Sequence, residues 1–462
     1  MTLLAINWAN AGTQAAYLLM SLSILVILHE FGHYLPAKLF GCRIEKFFLF
    51  FDPWFAIVKK KIGDTVYGIG WLPLGGYVKI SGMVDESMDK EQLKLPPQPW
   101  EFRSKPAWQR LIIMLGGVTV NLLLAFLIYA MILFVWGAQK VPIANVKDGI
   151  SITDSLMYQM GLKDGDKLVA IGDKPVVYYD DIISKLLVSE TVTVERDGKK
   201  EIVHLPVDLL GTLSEKKKSG TPLFVPRVPV IINIVPDTSS AKKAGLQRMD
   251  KILAIDSVPA LFFDQYRTAV SKRKGQQVKV TVERNGKDTV LAATINKDFA
   301  RDGSLGFVPY NSLDDLDSLG IVKIEHKSYG FFESFPAGTK LAVDKLSDYI
   351  NSFKKILSPK TGAYKGLGGF KTMGSIMPKQ WGDWQDFWSI TAFLSIILAF
   401  MNLLPIPALD GGHVLFTLIE MATGRKPSDK FLEYAQVVGM VLLLGLMVYA
   451  NGNDWFGWGK GR

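Results

Sequence analysis

A chain of 462 residues is long enough for several domains, and its 48% hydrophobic residues and mean hydropathy of +0.19 exceed what a water-soluble enzyme usually carries. The one cysteine, Cys42, excludes an internal disulfide and any cysteine-based zinc site, so metal ligands must come from His, Asp or Glu. The net charge of +9 comes from Lys and Arg spread over loops without a nucleic-acid motif, which excludes nucleic acid as a partner and points to anionic lipid headgroups.

The first element is an uncharged apolar run over 15–28 that ends in HEFGH at 29–33. It lacks the basic start and small-residue cleavage site of a secretory signal, so it is expected to be a retained span over 13–40, with Pro36 ending or kinking it. On a helix, positions i and i+4 share a face, so His29 and His33 can point at one metal ion while Glu30 reaches a water there. Ionisable side chains are expensive inside a membrane and are kept mainly where they serve a site. No Lys or Arg precedes Lys38, whereas Lys38, Arg43, Lys46, Lys59, Lys60 and Lys61 follow. The N-terminus is therefore expected outside and the motif toward the cytosol.

Residues 41–110 read as a cytosolic, membrane-associated β-hairpin region whose aromatic stretch 47–61 suits the lipid interface. Its second stretch, WLPLGGYVKI at 71–80, has two glycines that admit a close backbone. Leu74, Gly75, Gly76, Tyr77 and Val78 are expected to offer a strand edge to which an unwound substrate adds. Span two is expected over 111–136, with Arg103, Lys105 and Arg110 holding its start inside.

From 141 to about 295 the composition turns water-soluble and repeats itself. GLKDGDKLVAI at 161–171 recurs as GLQRMDKILAI at 245–255, and VTVERDG at 192–198 as VTVERNG at 280–286. Each copy predicts a turn, a strand, an amphipathic helix and a strand ending in an Asp-Gly or Asn-Gly hairpin turn. The copies resemble PDZ domains of the bacterial periplasmic kind. The second has Met249 where the first has Gly165, so its turn is expected to differ. SEKKKSG at 214–220 reads as a solvated loop between them.

Farther on, Ala342, Leu346, Tyr349, Ile350, Phe353, Ile356 and Leu357 share one helical face, which suits either the outer membrane surface or the underside of the second copy. After the flexible GLGG at 366–369, span three is expected over 387–409, ending in NLLPIPALDGGH at 402–413. Span four is expected over 432–450, after a loop with Arg425, Lys426 and Lys430 that places the C-terminus outside.

A hydrolytic zinc site needs three protein ligands and an open position. Asp410 is the best candidate for the third, because it lies in an apolar segment at the depth of the two histidines and Pro405 and Pro407 break the helix before it. Taken alone, Asp410 suits a helix cap or a pair with Arg425 or Lys426. Glu30 would be the general base. His413 reads as a satisfied interfacial histidine, and His204 and His326 fall on the opposite side of the bilayer.

In this order HEFGH, LPLGGYVK, the PDZ-like pair and N-x-x-P-x-P-x-L-D-G-G resemble, over essentially the whole chain, the site-two protease family of intramembrane zinc metalloproteases in its bacterial branch. The resemblance implies that His29, His33 and Asp410 bind zinc, that Glu30 is the catalytic glutamate, and that Asn402, Pro405 and Pro407 hold substrate. It implies cleavage of single-span proteins of the anti-sigma-factor type, or of signal-peptide remnants, once another protease has trimmed them. Two departures stand out: GGVTVN at 116–121 and Gly369-Phe370 occupy places where the family commonly has Gly-Pro. Neither is expected to touch the ligands.

The expectation is thus a monomeric, polytopic α-helical protein of a bacterial inner membrane with four transmembrane helices, the β-hairpin region and two inserted α+β PDZ domains. The expected boundaries are 1–40, 41–110 and 111–140 for the first half, 141–210 and 222–300 for the PDZ-like copies, 301–385 for a linker, and 386–411, 412–431 and 432–462 for span three, a loop and span four. The alternative is a non-catalytic scaffold presenting PDZ domains with a structural metal site. A transporter is disfavoured by the lack of a repeat among the spans.

Overall fold

The computed structural model describes residues 8–73, 75–83, 96–216, 222–296 and 305–459. It divides into two compact units, one of residues 1–137, 328–357 and 364–462, the other of residues 138–327 and 358–363. The first carries four helices long and apolar enough to cross a membrane. In α1, Trp8–Leu39, buried Tyr17, Ser21, Leu25, His29, Gly32 and His33 recur every three or four residues and so form one stripe. Pro36 lies inside α1, which stops at Leu39. On that stripe Gly32 meets Gly116 of α2, Ala107–Val135, so closely that neither position has room for a Cβ.

Between these helices β1 Ile44–Leu49, β2 Phe51–Ile62, β3 Thr65–Leu72 and β4 Tyr77–Ile80 form one sheet in the order β2-β3-β1-β4. Strands β1 and β3 run parallel and the other pairs antiparallel. The hairpin of β2 and β3 is therefore part of a wider sheet. Nor is 71–80 a single strand: Trp71 and Leu72 close β3, and β4 begins only at Tyr77, past Gly75 and Gly76. Leu74 lies outside the described residues. Among the described residues β4 is an edge strand. On the opposite edge Trp54 of β2 is 90% exposed, with Phe55, Ile57 and Val58 exposed after it.

In the second unit the two copies are built alike. The first has β5 Lys167–Ile171, β6 Lys174–Pro175, α3 Ile182–Val188, β7 Thr191–Arg196 and β8 Lys199–His204, in sheet order β8-β7-β5-β6. The second has β9 Lys251–Ile255, β10 Val258–Pro259, α4 Phe263–Ser271, β11 Gln277–Arg284 and β12 Lys287–Thr294, in order β12-β11-β9-β10. Both residues of each hairpin turn have positive φ, 50° and 75° at Asp197-Gly198 and 53° and 75° at Asn285-Gly286, which is why the sequence uses Asp-Gly and Asn-Gly there. Arg196 grips buried Asp166 and Arg284 grips buried Asp250, each with Nε 2.8 Å from Oδ1.

Met249 does not change its turn, contrary to the sequence expectation. Its φ of 73° is close to the 87° of Gly165, and its N–H bonds the Ile232 carbonyl at 2.8 Å as that of Gly165 bonds Ile150 at 2.8 Å. The ladder holds the methionine in a conformation that costs a non-glycine residue roughly 1–2 kcal/mol. Helix Leu209–Lys216 covers the start of the expected loop 214–220, and 217–221 lie outside the described residues. Strands Ala138–Lys140 and Glu325–Lys327 pair antiparallel, so the two ends of the insert leave side by side.

The chain then re-enters the first unit through α5, Phe331–Ile356. Within that unit it packs along α2 and along α7, Trp384–Leu403. Its buried stripe is small, Ser334, Gly338 and Ala342, and Gly338 lies directly against the Ala130 backbone. Tyr349 meets Phe393 and Phe400 edge-on. Helix α6, Phe370–Ile376, precedes α7. Span three is shorter than expected, because α7 ends at Leu403 and a new helix, α8, runs Asp410–Thr423 through the segment expected to be a loop. Pro405 and Pro407 account for the break. Helix α9, Asp429–Phe456, completes the unit.

Candidate metal centre

The stripe on α1 that packs on α2 carries both imidazoles, 8% and 4% exposed. The break after α7 turns the chain so that Asp410, first residue of α8, faces them. Two glycines follow because the turn is tight: a Cβ on Gly411 would strike the Leu403 and Leu404 carbonyls, and one on Gly412 the backbone of Ile406 and Pro407. Ala408 takes a φ of 79°, with its N–H donated to Gln436 Oε1 of α9 at 3.1 Å, and Gly439 of α9 abuts the Pro407 carbonyl. The aspartate is thus aimed by backbone fixed from both sides.

His29 Nε2 and His33 Nε2 are each 3.3 Å from Asp410 Oδ2, and 3.3 Å from one another. The three donor atoms form an equilateral triangle. Donors held 2.0–2.1 Å from a tetrahedral ion stand about 3.3 Å apart, so two nitrogens and a carboxylate oxygen at this spacing fit zinc with one position left open. Asp410 Oδ2 is buried without a hydrogen-bond partner, an expensive state for a carboxylate that a cation relieves. The ion pair with Arg425 or Lys426 that the sequence left open is not formed; Asp410 faces the histidines.

Glu30, on the next position of α1, lies beside this triangle, and its side chain packs against the segment that leads into β4. Gly76 packs on the same side chain: a Cβ there would sit 3.5 Å from Glu30 Cγ and closer still to Val26 and the Phe48 carbonyl. Tyr77 donates its hydroxyl to Asp52 at 2.7 Å. Asn402, at the end of α7, brings its amide nitrogen 3.3 Å from His29 Nε2. Pro405 and Pro407 lie in the loop that presents Asp410. His413 is on α8, and His204 and His326 are in the second unit.

Sequence reasoning missed the contribution of α2. His33 Nδ1 donates to the Ile113 carbonyl at 2.8 Å, and the Asn121 side chain lies 3.1 Å from His29 Nδ1. Gly117 corrects a stated expectation, since a Cβ on it would strike both imidazoles. The unusual Gly116-Gly117 pair therefore does touch the ligands. An asparagine in an otherwise apolar span was the signal for Asn121; nothing in the sequence signalled Ile113, which acts through its backbone.

The model of peptidase family M50 matches residues 17–446. The chain is similar to the regulator of sigma-E protease RseP of Escherichia coli K12, 28% identical over 472 residues covering 95% of this chain and 97% of that one. It is also 27% identical over 444 residues to the putative zinc metalloprotease Cj1068 of Campylobacter jejuni, covering 94% and 90% of the two chains. The putative zinc metalloprotease NMA0084 of Neisseria meningitidis is 26% identical over 454 residues, covering 94% and 97%. These matches bear out the resemblance drawn from the sequence.

Proposed function

The chain belongs to peptidase family M50 and is a zinc metalloprotease with four membrane-crossing helices, and from that premise we propose that it cuts peptide bonds inside the transmembrane segments of single-span proteins. The observation that carries this reading is the 3.3 Å triangle of His29, His33 and Asp410, built on two helices of the membrane unit. These three side chains hold zinc, and Glu30 is the general base. Family membership removes the scaffold alternative.

When bound, zinc lowers the pKa of a water to about 7 and polarises the scissile carbonyl. Glu30 takes the proton from the attacking water on a carboxylate oxygen and returns it to the leaving amide nitrogen. A transmembrane helix pairs all its backbone groups internally, so the cut segment must unwind. The free edge of β4, with Gly75, Gly76, Tyr77 and Val78, replaces the lost hydrogen bonds by strand addition. Asn402 and the loop of Pro405 and Pro407 hold the substrate on the other side.

The two copies in 141–210 and 222–300 are PDZ domains that screen substrates on the outer side, while the metal centre faces the cytosol, as the placement of basic residues supports. Relatives named for sigma-E regulation support a bacterial inner-membrane role and substrates of the anti-sigma-factor type. Glu30→Gln in the full chain should retain zinc and slow cleavage of a single-span substrate by about 100-fold or more, and His29→Ala should lose both. Cleavage by Glu30→Gln at the parental rate would overturn the assignment of the base.

A further inference from the structure

Asn121 has no solvent exposure, midway along the mostly apolar helix α2. An amide there is costly unless its polar atoms are used. Its backbone carbonyl accepts the Ser395 hydroxyl of α7 at 2.7 Å, which fixes it against a second span. Its side-chain nitrogen faces His29 Nδ1 at 3.1 Å, and its side-chain oxygen, equally buried, has no partner.

A neutral imidazole carries one proton on two nitrogens. The triangle turns His29 Nε2 toward Asp410 and His33, so a lone pair given to zinc from Nε2 requires the proton on Nδ1. The group opposite Nδ1 must then be an acceptor, yet the amide presents nitrogen, so two N–H donors would meet head to head. A half-turn of the amide exchanges nitrogen and oxygen without changing the side chain's shape. The partnerless oxygen then lands 3 Å or so from Nδ1–H, a normal hydrogen-bond distance.

We infer that Asn121 is a positioning residue whose Oδ1 accepts the Nδ1–H of His29 and so holds the imidazole in the tautomer that leaves Nε2 free for zinc. The inference rests on the reading of His29 as a ligand. Without metal the opposite amide orientation suits the other tautomer, in which Nδ1 accepts from the amide nitrogen and Nε2–H faces Asp410. His33 has no such choice, because the Ile113 carbonyl can only accept. Of the two ligand histidines, His29 is thus the one whose partner can serve both the loaded and the empty site.

The test is the zinc dissociation constant of full-length protein in detergent, measured by chelator competition. Asn121→Leu removes the acceptor at similar size and should weaken zinc binding about 10- to 100-fold. Asn121→Asp restores an acceptor and should hold zinc within about threefold of the parent or more tightly, in the manner of carboxylate–histidine–zinc arrangements. A purely structural asparagine would lower the melting temperature in both variants and leave the zinc constant alone, which overturns the inference. Zinc loss in Asn121→Asp as large as in Asn121→Leu overturns it too, and if the leucine variant does not fold, Asn121→Ala removes the acceptor in its place with the same expected loss. His29→Ala separates the two levels: parental zinc affinity there overturns the ligand reading itself, whereas zinc loss there beside parental affinity in Asn121→Leu overturns only the role of Asn121.

Discussion

Gly117 shows how little space the metal centre leaves. Any Cβ at that position strikes the His29 and His33 rings, so Gly117→Ala must push at least one imidazole out of the 3.3 Å triangle. Zinc affinity should fall about tenfold or more and proteolysis with it, and a variant with parental zinc content and parental cleavage would contradict the geometry. His29, Glu30, His33 and Asp410 were legible in the sequence because charge in an apolar run is rare and the i, i+4 spacing has a direct geometric meaning. Asn121 stood out as an asparagine in an apolar span but with nothing to tie it to the histidines, and Gly117 gave no signal, for a physical reason. Sequence shows that a helix is apolar all round but not which of its faces lies against the histidines, and a glycine's role there is the absence of atoms.

At the scale of elements, the edge of β4 lies beside the proposed base, since Gly76, just before it, packs on the Glu30 side chain. Val78→Pro removes a backbone donor from that edge and should slow cleavage of a helix-stable substrate by about tenfold or more, the worth of roughly one hydrogen bond. An unchanged rate would sink strand addition. The repeat in 161–295 could be read because the blocks at 161–171 and 192–198 recur in the same order at 245–255 and 280–286 and each copy ends in an Asp-Gly or Asn-Gly turn; the structure adds the matching Arg196–Asp166 and Arg284–Asp250 pairs. The packing of α5 on α2 was not legible because an amphipathic face looks the same whether lipid or protein covers it, whereas Gly338 against Ala130 shows a helix there. Span three ends earlier than its hydropathy through 402–409 suggests, because the break read in the sequence at Pro405 and Pro407 already stops α7 at Leu403.

On the scale of the whole molecule, the metal triangle, Glu30, Asn121 and β4 all belong to the first unit. If the PDZ-like pair screens substrates, then excising 141–324 and joining Lys140 to Glu325 by a two-residue turn should speed cleavage of an untrimmed substrate while zinc stays bound. The same rate for trimmed and untrimmed substrates in the full chain would count against screening. The excision is feasible because Lys140 and Glu325 are already partners across a ladder. That short ladder works like the collar of a cartridge: whatever is mounted beyond it starts and finishes at one socket, so lineages and engineers alike can exchange the sensor without rebuilding the blade.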